Sequence, residues 1–217
     1  MLALDPDAVV WNLPADVRHQ KPLLILMHGR GSDENDLVSL VPALPAGFAI
    51  ASVRAPYAEG FGWSWFDAES NAPGDPHPEN ADLAADGVLA WMRGLGWVPP
   101  TVGALGFSQG GAMAVHLMRR DPHRITFAVN LAGFVVRGEQ FGDATLTMHR
   151  NPVFWGRGAD DPLFTPELLQ RAEHWLPLHT SLTSGHYAGL AHAISPEELS
   201  DVSDFLRMQL LSANRSA

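Results

Sequence analysis

The sequence predicts an α/β fold with a mainly parallel central sheet and helices on both faces, and three observations carry that expectation. Continuous apolar runs of strand length alternate with segments of helical period. The first of these runs lacks polar alternation, as a strand buried on both faces should. Turn formers are plentiful, with 20 glycines and 17 prolines in 217 residues.

The elements follow in order. Residues 22–28 (PLLILMH) read as the first strand, 33–41 as a short helix with Leu37, Leu40 and Val41 on one face, and 48–53 as the next strand. The connection 55–80 holds four prolines, three glycines and little periodicity, and reads as an irregular loop. Residues 82–95 place Leu83, Val88, Leu89 and Met92 at helical spacing, with Gly94 and Gly96 as the stop. Residues 101–107 (TVGALGF) form a strand, and 109–120 a small-residue helix ended by Asp121-Pro122. Two strands are expected at 125–131 and 152–155, a helix at 166–175 and a last strand at 179–188. The closing helix begins near Ser195, where serine as N-cap, Pro196 at the first position and early Glu197 and Glu198 agree. No repeat or linker interrupts the pattern, so one domain over 1–217 is expected.

Composition narrows the function. The net charge is -10, Lys21 is the only lysine, and the arginines form no basic stripe, so nucleic acid is not an expected partner. The absence of cysteine excludes disulfides, thiolate metal sites and cysteine nucleophiles. No H-x-x-x-H or H-E-x-x-H pattern and no complete phosphate-binding glycine motif occurs, so neither a metal site nor a phosphate-cradling loop is expected. No apolar stretch approaches the roughly 18 residues of a membrane span, and the opening MLALDPDAVVW does not resemble a secretory signal. No integral membrane association is expected, and a cytoplasmic location is the default. The expected partner is a small-molecule substrate, and a homodimer is left open.

Gly106-Phe107-Ser108-Gln109-Gly110 fits G-x-S-x-G. The string alone arises by chance in roughly one chain of this length in fifteen, so its context decides. It lies between an apolar strand and a small-residue helix, where a nucleophile elbow needs flanking residues without side chains. The helix start would also aim backbone N–H groups at a developing oxyanion. A serine nucleophile needs a base, and in such an arrangement the acid and then the histidine follow it in the chain. Asp160-Asp161 follows the strand at 152–155, and His192 precedes the closing helix. Asp161 is favoured over Asp160 as the acid because Pro162 fixes the chain after it. His192 is favoured over His186 as the base. His28 precedes the nucleophile and reads as a loop-shaping hydrogen-bonding residue. The segment His28-Gly29-Arg30-Gly31 follows an early strand, so the N–H groups of Arg30 and Gln109 are expected to form the oxyanion hole.

Five segments, LMHGRGSDENDLVSL, RAPYAEGFGWSWFD, GFSQGGAMA, GADDPLF and GLAHAISPEEL, span nearly the whole chain. In that order they resemble the phospholipase/carboxylesterase family, which includes the acyl-protein thioesterases. The resemblance implies an α/β-hydrolase fold without a large cap domain, no cofactor, and hydrolysis of carboxylic esters, thioesters or lysophospholipids. It also implies Ser108, Asp161 and His192 as the triad and Arg30 and Gln109 as the oxyanion-hole residues. Arg30 departs from the apolar residue of the eukaryotic thioesterases. The reading from another class is a small-ligand receptor that keeps the fold with a vestigial triad.

The connection 55–80 carries Tyr57, Phe61, Trp63, Trp65 and Phe66. Such an aromatic load needs something to bury against, so Phe61, Trp63 and Trp65 are expected to line a substrate pocket that admits short to medium acyl chains. The plainer alternative makes Trp65 and Phe66 anchors to the core.

Overall fold

Residues 2–66 and 75–216 are described by the computed structural model. In chain order the strands are β1 (Val9–Trp11), β2 (Leu23–Met27), β3 (Ala49–Val53), β4 (Tyr57–Glu59), β5 (Gly62–Ser64), β6 (Val102–Phe107), β7 (Ile125–Leu131), β8 (Pro152–Gly158) and β9 (Ser181–Tyr187). The helices are α1 (Ala15–Arg18), α2 (Pro78–Arg93), α3 (Gln109–Arg120), α4 (Asp143–His149), α5 (Pro166–His179) and α6 (Pro196–Ser216), with a 3-10 helix at Asp36–Ala43. Seven strands form one sheet in the order β1-β3-β2-β6-β7-β8-β9. Among the described residues of this sheet, only β1 runs antiparallel to its neighbour. The mainly parallel sheet expected from the apolar runs is therefore present.

Both faces of the sheet are covered, and β2 shows how. All five of its residues are buried. Leu23, Ile25 and Met27 join a core with α2, α3 and α5, while Leu24 and Leu26 join the opposite core with the 3-10 helix and α6. Side chains alternate across a strand, so a run without polar residues is what a two-sided burial requires. The chain progresses outward from β2 to β3 in one direction and from β2 to β6 in the other. The loops after β2 and β6 therefore open a crevice at the point where the strand order reverses, the place where ligands bind in open α/β sheets.

Several expectations need correction. The helix read at 33–41 is a 3-10 helix displaced to Asp36–Ala43 and containing Pro42. In an α-helix the proline ring clashes with the carbonyl four residues before it, which disfavours an α-helical ladder through this segment. The connection 55–80 is not wholly irregular: it opens with the β4–β5 hairpin, turned at Gly60 with φ 61°. Residues 67–74 of that connection lie outside the described residues. Helix α2 starts at Pro78, earlier than the periodicity implied, with proline in the first turn. Strand β1 and helices α1 and α4 are short elements that no apolar run signalled.

Glu198, in the first turn of α6, is 1% exposed, and its N–H donates to Ser195 Oγ at 3.0 Å, the cap expected for this helix. Neither carboxyl oxygen has a partner among the described residues. Burial pushes its pKa up to about 7, against an opposing pull from the Ser195 backbone N–H and with the nearby Asp201 adding to the rise. The folded chain thus keeps a proton that an unfolded chain releases near 4.5. Since the folded state binds more protons over this interval, the carboxyl removes stability as pH rises from about 4.5 to about 7. Denaturant melts of the parent chain and Glu198→Gln should coincide near pH 4.5 and diverge by pH 8, with the glutamine variant the more stable. Equal stability at both ends would contradict a buried unpaired carboxyl.

Candidate active site

Ser108 sits between β6 and α3 with φ 56° and ψ -118°. A non-glycine residue there stores on the order of 1–3 kcal/mol of strain. The flanking glycines make the turn possible. A Cβ at Gly106 would collide with the Gly110 carbonyl, and one at Gly110 with the carbonyls of Met27 and His28. The Ser108 N–H donates to Leu131 O at 2.8 Å, tying the elbow to the end of β7.

The two partners arrive on loops after β8 and β9. His192 Nε2 lies 2.9 Å from Ser108 Oγ, and His192 Nδ1 lies 2.7 Å from Asp161 Oδ2. The Asp161 side chain is 1% exposed, and its other oxygen accepts from the Leu163 N–H at 2.9 Å. A carboxylate with one oxygen on the backbone and the other on the imidazole is fixed in aim. Asp160 is exposed, with its N–H on Leu190 O at 3.0 Å. His186 is exposed on β9, with Nε2 3.1 Å from the Arg157 guanidinium. The structure brings Ser108, His192 and Asp161 together and leaves Asp160 and His186 apart from them.

The loop after β2 is built around His28, which is fully buried. Its Nε2 accepts from the Ala55 N–H at 3.0 Å, so Nδ1 carries the proton and donates to Gly29 O at 2.7 Å. Burial holds its pKa below the ordinary histidine value, which keeps the ring neutral. Trp65 Nε1 donates to His28 O at 2.8 Å, and the Trp65 N–H donates to the Gln109 side chain at 3.0 Å. This places the loop after β2 against the start of α3. The Arg30 N–H has no acceptor among the described residues. Gln109 is the first residue of α3, where no preceding turn supplies a carbonyl. The Arg30 side chain forms an ion pair with Glu59 of β4.

A cavity of about 350 Å³ opens on Ser108 and His192. Its apolar wall comes from Phe107, Ala132, Phe134, Leu163, Phe164 and Leu168. The aromatic residues expected to line it do not. Phe61 points fully into solvent from the hairpin turn. Trp63 pairs through its backbone with Gly31 and Ser32, and its ring takes the Arg54 guanidinium at 4.8 Å. Trp65 is buried in the core, the anchoring role of the plainer alternative. The wall residues were missed because aromatic density drew the reading to the long connection. The better signal was position, since Phe134 and Leu163 follow β7 and β8 at the C-terminal edge of the sheet.

The chain is similar along most of its length to known proteins. The model of the phospholipase/carboxylesterase family matches residues 13–210. Acyl-protein thioesterase 1 of Gibberella zeae is 30% identical over 123 residues, 55% of this chain and 52% of that protein. A probable carboxylesterase of Arabidopsis thaliana, SOBER1-like, is 27% identical over 162 residues, 71% of this chain and 62% of that protein. The chain thus spans between 52% and 62% of the length of these two curated relatives. The crystal structure of the Bacillus cereus carboxylesterase superposes with a TM-score of 0.78 at 20% identity, covering 92% of this chain and 93% of that one. At that identity the likeness speaks for the fold alone. With the family model matching from residue 13 to residue 210 and the α/β-hydrolase fold in common, the chain belongs to the phospholipase/carboxylesterase family.

Proposed function

We propose that the chain is a serine hydrolase that cleaves carboxylic esters or thioesters of short to medium acyl chains through an acyl-enzyme. The observation that carries this reading is the unbroken relay from Ser108 Oγ through His192 to the buried Asp161, with steps of 2.9 and 2.7 Å. Ser108 Oγ attacks the acyl carbon while His192 Nε2 takes its proton, and Asp161 holds the imidazole's orientation and stabilises its cation. The carbonyl oxygen becomes an oxyanion that accepts from the N–H groups of Arg30 and Gln109. His192 returns the proton to the departing alcohol or thiol. Water then repeats the sequence on the acyl-enzyme and frees the acid and Ser108. Membership in the family, and the thioesterase and carboxylesterase names of the relatives, support the reaction class. The cavity of about 350 Å³ is near the lower end of the roughly 300–1,000 Å³ of ligand sites, which favours small acyl groups.

Two variants test the roles. Ser108→Ala should lose roughly 10³-fold or more in kcat with little change in thermal midpoint, because the remaining site retains only binding and oxyanion donors. A variant that kept most of the parent's nitrophenyl ester hydrolysis would remove Ser108 as nucleophile. Asp161→Asn should cost about 10²- to 10⁴-fold in kcat through the wrong tautomer, whereas Asp160→Asn should be near neutral. The opposite ranking, measured side by side, would shift the acid by one residue.

A further inference from the structure

The segment from Ala132 to Gly138 has no helix or strand, yet Ala132, Phe134, Val135 and Val136 are all buried. Buried irregular backbone has no ladder to satisfy its carbonyls and must borrow donors. Here side chains from four other positions supply them in succession. Gly133 O accepts from Trp155 Nε1 at 3.1 Å and Phe134 O from Asn130 Nδ2 at 3.5 Å. Val135 O accepts from Arg171 Nη1 at 3.1 Å. Val136 O and Gly138 O accept from Arg119 Nη1 and Nη2, each at 2.6 Å.

Both arginines are themselves fixed. Arg119, at the end of α3 and 1% exposed, pairs bidentately with Asp143 at 2.8 and 2.7 Å and lies 4.7 Å over the Trp175 ring. Arg171 of α5 pairs bidentately with Asp75 at 2.8 and 3.0 Å. This braced segment lines the cavity with Ala132 and Phe134, and the Phe134 ring is backed by Phe66 with ring centroids 6.4 Å apart. Leu168, one turn before Arg171 on the same helix, lines the cavity beside it. Helix α5 thus supplies both a piece of the wall and a grip on its neighbour.

We propose that Phe134 sets the depth to which an acyl chain enters the cavity, and that Arg171 and Arg119 are positioning residues that keep it there by holding the carbonyls of its segment. The proposal rests on the ester-hydrolase reading above and adds to it which residue selects chain length. An acyl chain grows against a ring that cannot retreat, because the backbone behind it is bonded at consecutive carbonyls to charged donors that are anchored elsewhere. Each methylene the cavity accepts should raise kcat/KM by about fourfold, and the rise should stop where the chain meets Phe134.

The test compares the parent chain with Phe134→Ala, Arg171→Met and Asp75→Asn on nitrophenyl esters from acetyl to dodecanoyl. A second series holds the acyl group at acetyl and lengthens the alcohol. Phe134→Ala should move the acyl optimum to longer chains, raising the ratio of kcat/KM for the longer ester over acetyl by roughly fifteenfold, as about two further methylenes would. Arg171→Met, which keeps the ring but frees Val135 O, should shift the optimum in the same direction, read mainly in KM for the long esters. Asp75→Asn removes the charge that anchors Arg171 while leaving its guanidinium on Val135 O, and should shift the optimum in the same direction by less than Arg171→Met. The alcohol series should be unchanged throughout. Arg171→Met carries the positioning claim because Arg119 is wholly buried; Phe134→Leu replaces Phe134→Ala if the alanine variant does not fold. Folded, active variants with the parent's acyl profile, or a shift confined to the alcohol series, would overturn the proposal alone. A parent chain that neither hydrolyses any ester nor labels with a fluorophosphonate would bring down the ester-hydrolase reading, and the proposal with it.

Discussion

The close approach of α3 to the strands beneath it is the constraint on which the site depends. The Gly110 Cα lies against the carbonyls of Met27 and His28, and Gly106 lies against the Gly110 carbonyl, with no room for a Cβ at either position. That contact forces the chain through Ser108 at positive φ and lifts its hydroxyl out of the sheet edge. It also brings the first N–H groups of α3 beside the loop after β2. Strain in one residue is held by packing on both sides of it, as the Ser108 N–H on Leu131 O and the Ala112 N–H on Ser108 O make plain.

Around that turn the charges are distributed unevenly. His28 is kept neutral by burial and by a backbone N–H on its Nε2, so it shapes the loop without adding a charge near the oxyanion donors. The Arg30 side chain is paired with Glu59 on the hairpin, which balances its charge. The cavity wall is apolar, while the guanidinium groups of Arg119 and Arg171 stand behind it on backbone carbonyls. A dry wall backed by satisfied polar groups suits acyl groups better than charged ones.

Much of this was legible in the sequence because it rests on local rules. The two-sided burial of β2 reads directly from LLILM, and the elbow reads from glycines whose purpose is steric. The order of serine, acid and histidine follows from loops at successive strand ends, and Ser195 capped α6 as its residue type implies. The choice between Asp160 and Asp161 rested on Pro162, and the structure places only Asp161 within reach of His192. What stayed hidden was tertiary. Aromatic content alone could not tell Trp65, buried against the loop after β2, from Phe61, turned to solvent. Nor does periodicity reveal the pairing of Ala58 with Trp63, which makes a hairpin of residues 57–64, or the bridge from Trp63 to Ser32. The braced segment after β7 has no local signature, because its donors come from α3, β7, β8 and α5.

Ser108 is the residue proposed to become covalently bonded to substrate. The most direct measurement is intact-mass analysis after reaction with a fluorophosphonate, followed by peptide mapping of the adduct. One equivalent of label on Ser108, absent from folded Ser108→Ala, is the predicted result. A folded chain that takes no label, or takes it at another residue, would contradict it.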